Sequence, residues 1–176
     1  TQKRTVFQPV KIIIMRTILK LKVITFLLLT ITCCNGQSSK VDLLNDEFPE
    51  AQQQIMETFG AIAQSLKDGD MDKLISFHAY GPKFTEFKNG ERRNGDVANE
   101  EYERTVFGGV TEVVKFDAND LKVAVYGDVA NVTFHSDFEL KFGEDLVMVN
   151  DQISLLFLKT NEGWKIVAEH HSPLKK

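Results

Sequence analysis

The sequence predicts an α+β domain in which helices come first and roof one face of a strongly curved antiparallel sheet. Three observations carry this. Apolar side chains between Phe48 and Phe107 recur at helical spacing. From Val113 onward the pattern changes to runs rich in Val, Phe, Ile and Leu. Those runs are joined by turns so short that neighbouring strands must pair antiparallel. A length of 176 residues with 43% hydrophobic content suits one domain with a substantial core, and argues against disorder, a collagen-like fibre or a disulfide-stapled mini-protein.

The N-terminal stretch stands apart. Six of the 21 basic residues and none of the 25 acidic ones precede Cys34, so the rest of the chain has ten more acids than bases. Met15 to Lys22 is a short basic region. Val23 to Ile31 is an apolar run too short to span a bilayer, but of the length of a signal-peptide core. We read residues 1–14 as upstream translation with Met15 as the start, 15–34 as a signal peptide, 35–45 as a polar linker and 46–174 as the working domain. The ending Thr30-Ile31-Thr32-Cys33-Cys34 resembles a bacterial lipobox, with Cys34 or Cys33 as the lipidated residue, although Thr32 and Cys33 stand where a small residue is usual. The expectation is an exported protein, periplasmic or anchored at the outer membrane, touching a membrane only through its acyl chain; plain secretion is the alternative. With both cysteines in the leader, the domain has no disulfide, thiol nucleophile or thiolate metal site.

Each element follows in order. Phe48, Ile55, Met56, Phe59, Ile62, Ala63 and Leu66 define a first helix, with Asn45 or Asp46 as its cap, Pro49 near its first turn and Gly69 after its end. Asp70 caps a short second helix carrying Met71, Leu74, Ile75 and Phe77, and Tyr80-Gly81-Pro82 breaks it. Lys83 to Phe87 is extended and leads into a turn at Lys88-Asn89-Gly90-Glu91. A third helix is predicted from a cap at Asn99 to Phe107, stopped by Gly108-Gly109. Strands follow at Val113–Phe116, Leu121–Tyr126, Val129–Leu140, Leu146–Lys159 and Trp164–His171. In the third of these, Ala130, Val132, Phe134, Phe138 and Leu140 share one face, while Asn131, Thr133, His135, Asp137 and Glu139 share the other. One face is therefore buried and the other wetter. A curved sheet roofed by helices leaves a conical cavity at one end.

Three segments then carry a resemblance: Gly163-Trp164-Lys165-Ile166-Val167-Ala168-Glu169-His170-His171-Ser172, Tyr126-Gly127-Asp128-Val129-Ala130-Asn131-Val132-Thr133, and Phe77 to Phe87. They resemble the final strand, a common hairpin, and the junction of second helix and first strand in the nuclear transport factor 2-like superfamily. This superfamily includes the SnoaL-like and ketosteroid-isomerase-like proteins. The resemblance covers roughly residues 47–173. It implies a cone-shaped, cystatin-like α+β barrel and a homodimer packed through the outer face of the sheet, near Thr133, His135 and Asp137. It does not select an activity, because the superfamily spans isomerases, cyclases, dehydratases, ligand binders and oligomerisation modules. The first His of the family's His-x-His is Ala168 here, and only His170 and Ser172 match. The carboxylate, Tyr and protonated Asp of ketosteroid isomerases have no counterparts that can be placed.

The candidate ligand-binding set is His170, Tyr80, His78, Phe84, Gln152 and Trp164. His170 and His171 are adjacent on a strand, so their side chains point to opposite faces. If Trp164, Ile166 and Ala168 face inward, so does His170; a bulge would hand the role to His171. His78, Tyr80 and Phe84 lie at the junction that borders the superfamily's cavity. Either Asp151 or Gln152 faces the cavity mouth. Trp164 anchors the core, Tyr102 and Phe107 pack on the third helix, and Glu91-Arg92-Arg93 is read as a solvated turn. His135 and Asp137 could pair with each other. Four scattered histidines show no metal spacing, no motif calls for a cofactor, and an acidic domain is a poor nucleic-acid binder. The leading expectation is a small, mostly apolar molecule bound in the cone without turnover. The alternatives are a cofactor-independent isomerase, dehydratase or hydrolase using a His/Tyr pair, or a homo-oligomeric assembly module. Two convergent titratable groups in the cavity would favour the enzyme.

Overall fold

The computed structural model describes residues 41–175; Met15, Cys33, Cys34 and the rest of the leader lie outside the described residues. Among the described residues no helix is long and apolar enough to cross a membrane. Helix α1 runs Pro49–Asp68, with Pro49 at its first position as expected. Neither Asn45 nor Asp46 caps it: the N-cap is Phe48 in a left-handed conformation. Asp46 is taken up instead by a local turn in which its carboxylate accepts from the Asp42 N–H at 2.9 Å. Gly69, at φ 69°, closes the helix, a conformation that a side chain would strain. Helix α2 is Met71–Ile75, and Asp70 Oδ1 accepts from the Lys73 N–H at 2.9 Å, as its capping position predicts. Helix α3 is Asp96–Gly108, and its cap, Gly95, lies four residues before the expected cap at Asn99. Asn99 is consequently not a cap but a buried residue inside the helix.

The strands are β1 Thr85–Lys88, β2 Glu91–Arg92, β3 Glu112–Tyr126, β4 Val129–Phe142, β5 Asp145–Val149, β6 Asp151–Thr160 and β7 Gly163–Pro173. Their order is β2-β1-β7-β6-β4-β3, with β5 also on β4. The sheet is mixed and not closed: β1 lies parallel to β7, and the other pairs are antiparallel. Two expected strands merge into β3, whose pairing slips between Asn119 and Lys122 instead of turning there. The expected strand Leu146–Lys159 divides at Asn150. One half of β4 then pairs with β6 and the other with β5. Ser136, 1% exposed, pins the division by accepting from the Asp151 N–H and donating to the Val149 carbonyl. Such slips let long twisted strands curl without losing their pairing.

The alternation along β4 is as the sequence predicts, with Ala130, Val132, Phe134, Phe138 and Leu140 buried. They meet Ile55, Ile62 and Leu66 of α1, Leu74 of α2, and Leu155, Phe157, Trp164 and Ile166 from the next strands. Burying an aliphatic or aromatic side chain in such a cluster is worth about 1.5–3 kcal/mol. The cluster fills the space between the helices and the curved sheet except at one small cavity.

Candidate functional site

That cavity measures about 80 Å³. Its walls are mostly apolar, from Phe59 and Ile62 of α1, Phe107 of α3, Phe116 of β3, Phe134 and Phe138 of β4, and Ile153 of β6. One corner is polar: His78, Glu103, Glu169 and His171. A groove of about 500 Å³ beside it shares Phe107, Phe138, Ile153 and His171 with the cavity and opens past Tyr102, Met148 and Asp151.

The polar corner is built by one irregularity in β7. Leu156 pairs with Ala168 but Phe157 pairs with Ile166, so Val167 is an extra residue on β7. Before it, Trp164 and Ile166 face inward; after it, Glu169 does, and His170 is exposed. The expectation that His170 lies inward is thus corrected: the bulge reverses the alternation and gives the place to His171. The segment after α2 is laid against the same point. Ala79 N–H donates to the Ile166 carbonyl and Ile166 N–H to the Phe77 carbonyl, both at 2.8 Å. This fixes His78 beside β7.

The result is a carboxylate held between two imidazoles. His78 Nε2 is 2.6 Å from Glu169 Oε1, and His171 Nε2 is 3.1 Å from Glu169 Oε2. His78 and Glu169 are 9% and 7% exposed. Both Nδ1 atoms are buried without a partner. Burial alone pushes Glu169 up, but the hydrogen bonds and charges of His171 and His78 outweigh it and hold the carboxyl below its ordinary value. Burial likewise pulls His78 down, and the bond to Glu169 and its charge reverse that, leaving His78 raised.

A second chain of hydrogen bonds backs the first. Tyr80 donates its hydroxyl to Asn99 Oδ1 at 2.5 Å, and Asn99 Nδ2 donates to Glu86 Oε2 at 2.8 Å. Glu86, wholly buried, has its other oxygen 3.7 Å from Arg93 Nη1. Arg93 stacks 3.8 Å over the Tyr102 ring, so this residue of the expected solvated turn belongs to the interior. Burial first, then the charge of Glu169, raises Glu86. The Tyr80 ring stacks on His78, and Phe84, 2% exposed, presses edge-on against both. Tyr80 is committed to Asn99 and supports the site from behind.

The sequence-predicted residues therefore divide. His78 lines the cavity; Tyr80 and Phe84 buttress it. Trp164 is a core residue whose Nε1–H donates to Gln54 Oε1 at 3.1 Å. His170 and Gln152 come together on the outer face, in a shallow hollow with Thr133, His135, Ser154 and Ser172. Of the pair considered for the mouth, Asp151 faces inward and Gln152 outward. His135 and Asp137 do not pair: His135 meets Asp120, and Asp137 meets Lys115. Sequence reasoning missed Glu86, Asn99, Glu103, Arg93 and Glu169. One signal was available: Asn99, Glu103 and Phe107 are spaced by four and share a helix face.

Glu86, Glu169 and His171 each offer a donor atom within 4.8 Å of the others, which is metal-ligand spacing among the described residues. The surroundings do not fit an ion. Both Glu169 oxygens already hold imidazoles, and the Arg93 guanidinium stands beside Glu86, so a cation would meet positive charge and break existing bonds.

A family model for the SnoaL-like domain matches residues 55–175. The chain belongs to the SnoaL-like family. Members of this family bind ligands or act as isomerases or dehydratases. Solved structures agree on the fold. One, provisionally named a dehydratase of the nuclear transport factor 2-like family from Streptomyces avermitilis, has a TM-score of 0.65 and 21% identity over 72% of this chain and 98% of that one. Another, provisionally named an aromatic ring hydroxylase from Novosphingobium aromaticivorans, has a TM-score of 0.62 and 18% identity over 72% and 91%. A nuclear transport factor 2-like superfamily protein from Salmonella enterica has a TM-score of 0.61 and 19% identity over 72% and 94%. At these identities the likeness is one of fold. No curated protein matches the sequence. This SnoaL-like domain puts two buried glutamates, Glu103 and Glu169, and two imidazoles in the wall of its cavity, with a third, Glu86, beside Glu169 and His171.

Proposed function

We propose that this domain is an acid–base catalyst, acting on a small, mostly apolar molecule by moving protons next to a carbonyl, as in isomerisation or the loss and gain of water. The observation that carries the reading is the His78–Glu169–His171 array in the wall of an apolar cavity. A carboxylate that accepts from one imidazole nitrogen orients the ring and fixes its tautomer, leaving the other nitrogen to take a proton. Proton transfer of this kind needs no cofactor and gains about 10²–10⁴-fold in rate. The working pair is thus His and Glu, not the His and Tyr expected from the sequence.

The test is a panel of small cyclic ketones, β-hydroxy ketones and enones followed by NMR in D₂O. Deuterium incorporation or water exchange by the wild type, reduced about 100-fold in both His78→Asn and Glu169→Gln, supports the reading. Full-strength exchange in both variants overturns it. So does an inert wild type that carries an intact small molecule through native mass spectrometry, which favours binding without turnover.

The site is proposed to work outside the cytoplasm, on a domain tethered through Cys34 or Cys33. Supporting this are the basic and then apolar leader and its lipobox-like end. A labelled fatty acid incorporated by the wild type in its host and not by the Cys33→Ser/Cys34→Ser double variant would bear this out; unchanged labelling would refute it. A homodimer through the outer sheet face is proposed on the contiguous exposed side chains Tyr126, Val129, Leu156 and Leu158.

A further inference from the structure

We propose that the free edge of β5 is a docking lane for a single extended, mostly apolar peptide of another protein, added to the sheet as a further strand. It stands independently of the acid–base reading above. Strand β5 pairs with β4 alone, so its other edge is free among the described residues. About half of its main-chain N–H and C=O groups therefore point away from the sheet. Exposed edges are usually guarded by lysine, proline, a bulge or a covering loop. Leu146-Val147-Met148-Val149 has neither charge nor proline, and its pairing with β4 runs without a slip. Leu146, Val147 and Met148 are 53%, 41% and 61% exposed.

Strands β5 and β6 lie end to end along β4, and β7 pairs with β6 as far as Asp151 and Pro173. Leu174 N–H then donates to the Asn150 carbonyl at 3.0 Å, where β6 gives way to β5. The lane beside β5 is thus the continuation of the lane of β7. A strand laid in it extends a row of hydrogen bonds that β7 has begun.

The floor of that lane is the groove of about 500 Å³. Val147 and Val149 share a face with their β4 partners Leu140 and Phe138, so they turn toward it. Tyr102 and Val106 of α3 line it as well. A strand beside β5 would send every second side chain onto them. Main-chain bonds then supply affinity and the groove selects the alternate side chains. The far wall decides the occupant. Lys88 and Asn89, at the end of β1, and Leu174 line the same groove as Val147. An incoming chain is held between β5 and that wall, which leaves room for one strand and not for the sheet of a second copy. Lys88 is drawn over the Tyr102 ring at 5.4 Å, and Asp151 is buried at the start of β6. The stretch along β5 is therefore apolar and suits uncharged side chains.

The test offers the full chain a displayed library of short random peptides. Selected peptides should carry apolar residues at alternate positions, and the strongest should slow amide exchange across Asp145–Val149 about tenfold or more. It is then synthesised with alternate main-chain nitrogens methylated along one edge or the other. Methylation along the edge that pairs with β5 should weaken binding about tenfold or more, and along the other edge less than about threefold. Val147→Glu puts a charge in the groove and should also cost about tenfold, whereas Leu158→Glu on the outer face should stay within about twofold. Circular dichroism checks that both variants keep the fold. No enrichment over a blank surface, equal binding by both methylated forms, or binding indifferent to Val147→Glu overturns the proposal. Protection of the same amides that grows with protein concentration in the absence of peptide overturns it in favour of a second copy.

Discussion

Glu103 and Asn99 sit one helical turn apart and do opposite kinds of work. Asn99 is fully paired, between the Tyr80 hydroxyl and the Glu86 carboxylate. Asn99→Ala leaves both without a partner in the interior, so a loss of about 2–4 kcal/mol is expected in urea unfolding. Glu103 has no hydrogen-bond partner among the described residues, and its effect depends on pH. Its folded value of about 8 lies above the ordinary 4.5, so the folded state holds the proton more tightly than the unfolded chain. The stability this contributes is full below about 4.5 and is lost as pH rises from there through about 8. The wild type should therefore weaken against Glu103→Gln between pH 5 and 9 by a few kcal/mol, on the order set by the shift. Parallel denaturation curves across that range would show the opposite. If His78 acts as a base its ring must be neutral, so the rate should fall toward acid, where the bond to Glu169 and its charge hold the proton on His78 above the usual imidazole range, read as the acid limb of a kcat profile.

At the scale of elements, the bulge in β7 decides which chemistry reaches the cavity. A strand places alternate residues on one face, and one extra residue reverses that order for all that follow. Deleting Val167 should remove the bulge and leave Glu169 inward and His170 outward, since Ala168 then takes the single outward place between Ile166 and Glu169. The His78–Glu169 pair should survive that deletion, whereas Glu169→Ala breaks it, and a destabilisation of about 3 kcal/mol or more is expected there. Imidazole ¹⁵N NMR would separate the two: the shared signature of two rings on one carboxylate should persist in the deletion and disappear in Glu169→Ala. The same logic explains the two-part pairing of β4, where Ser136 holds the end of β5 and the start of β6 to one strand. That junction turns Asp151 toward the mouth and Gln152 away from it.

At the scale of the whole molecule, the sheet has two faces with separate uses. The inner face is sealed by the helices except at the cavity and its groove. The outer face exposes Leu158 paired with Val129, which is paired in turn with Tyr126. If this face joins two copies, Leu158→Glu should shift sedimentation from dimer to monomer while leaving the near-ultraviolet circular dichroism of the core intact. A wild type that sediments as a monomer would refute the dimer. The excess of acids beyond Cys34 gives the domain a net negative charge that disfavours self-association through charge repulsion.

The order of helices and strands, the buried face of β4, the cap at Asp70 and the turn after Lys88 were all legible in the sequence, because each depends on neighbours a few residues away. Apolar spacing, a capping carboxylate and Asn89-Gly90 act locally, so their message does not wait for the fold. The site was legible only in outline. His78 could be placed at the cavity border from its position after α2, but its partner lies 91 residues further along the chain. Glu169 and His171 face inward only because Val167 is squeezed out of register, and Asn99 is buried only because α3 begins at Gly95. Those outcomes are settled where β1, α3 and β7 must satisfy one another's buried polar groups at once. Such a balance is struck in three dimensions and has no period along the chain from which to read it.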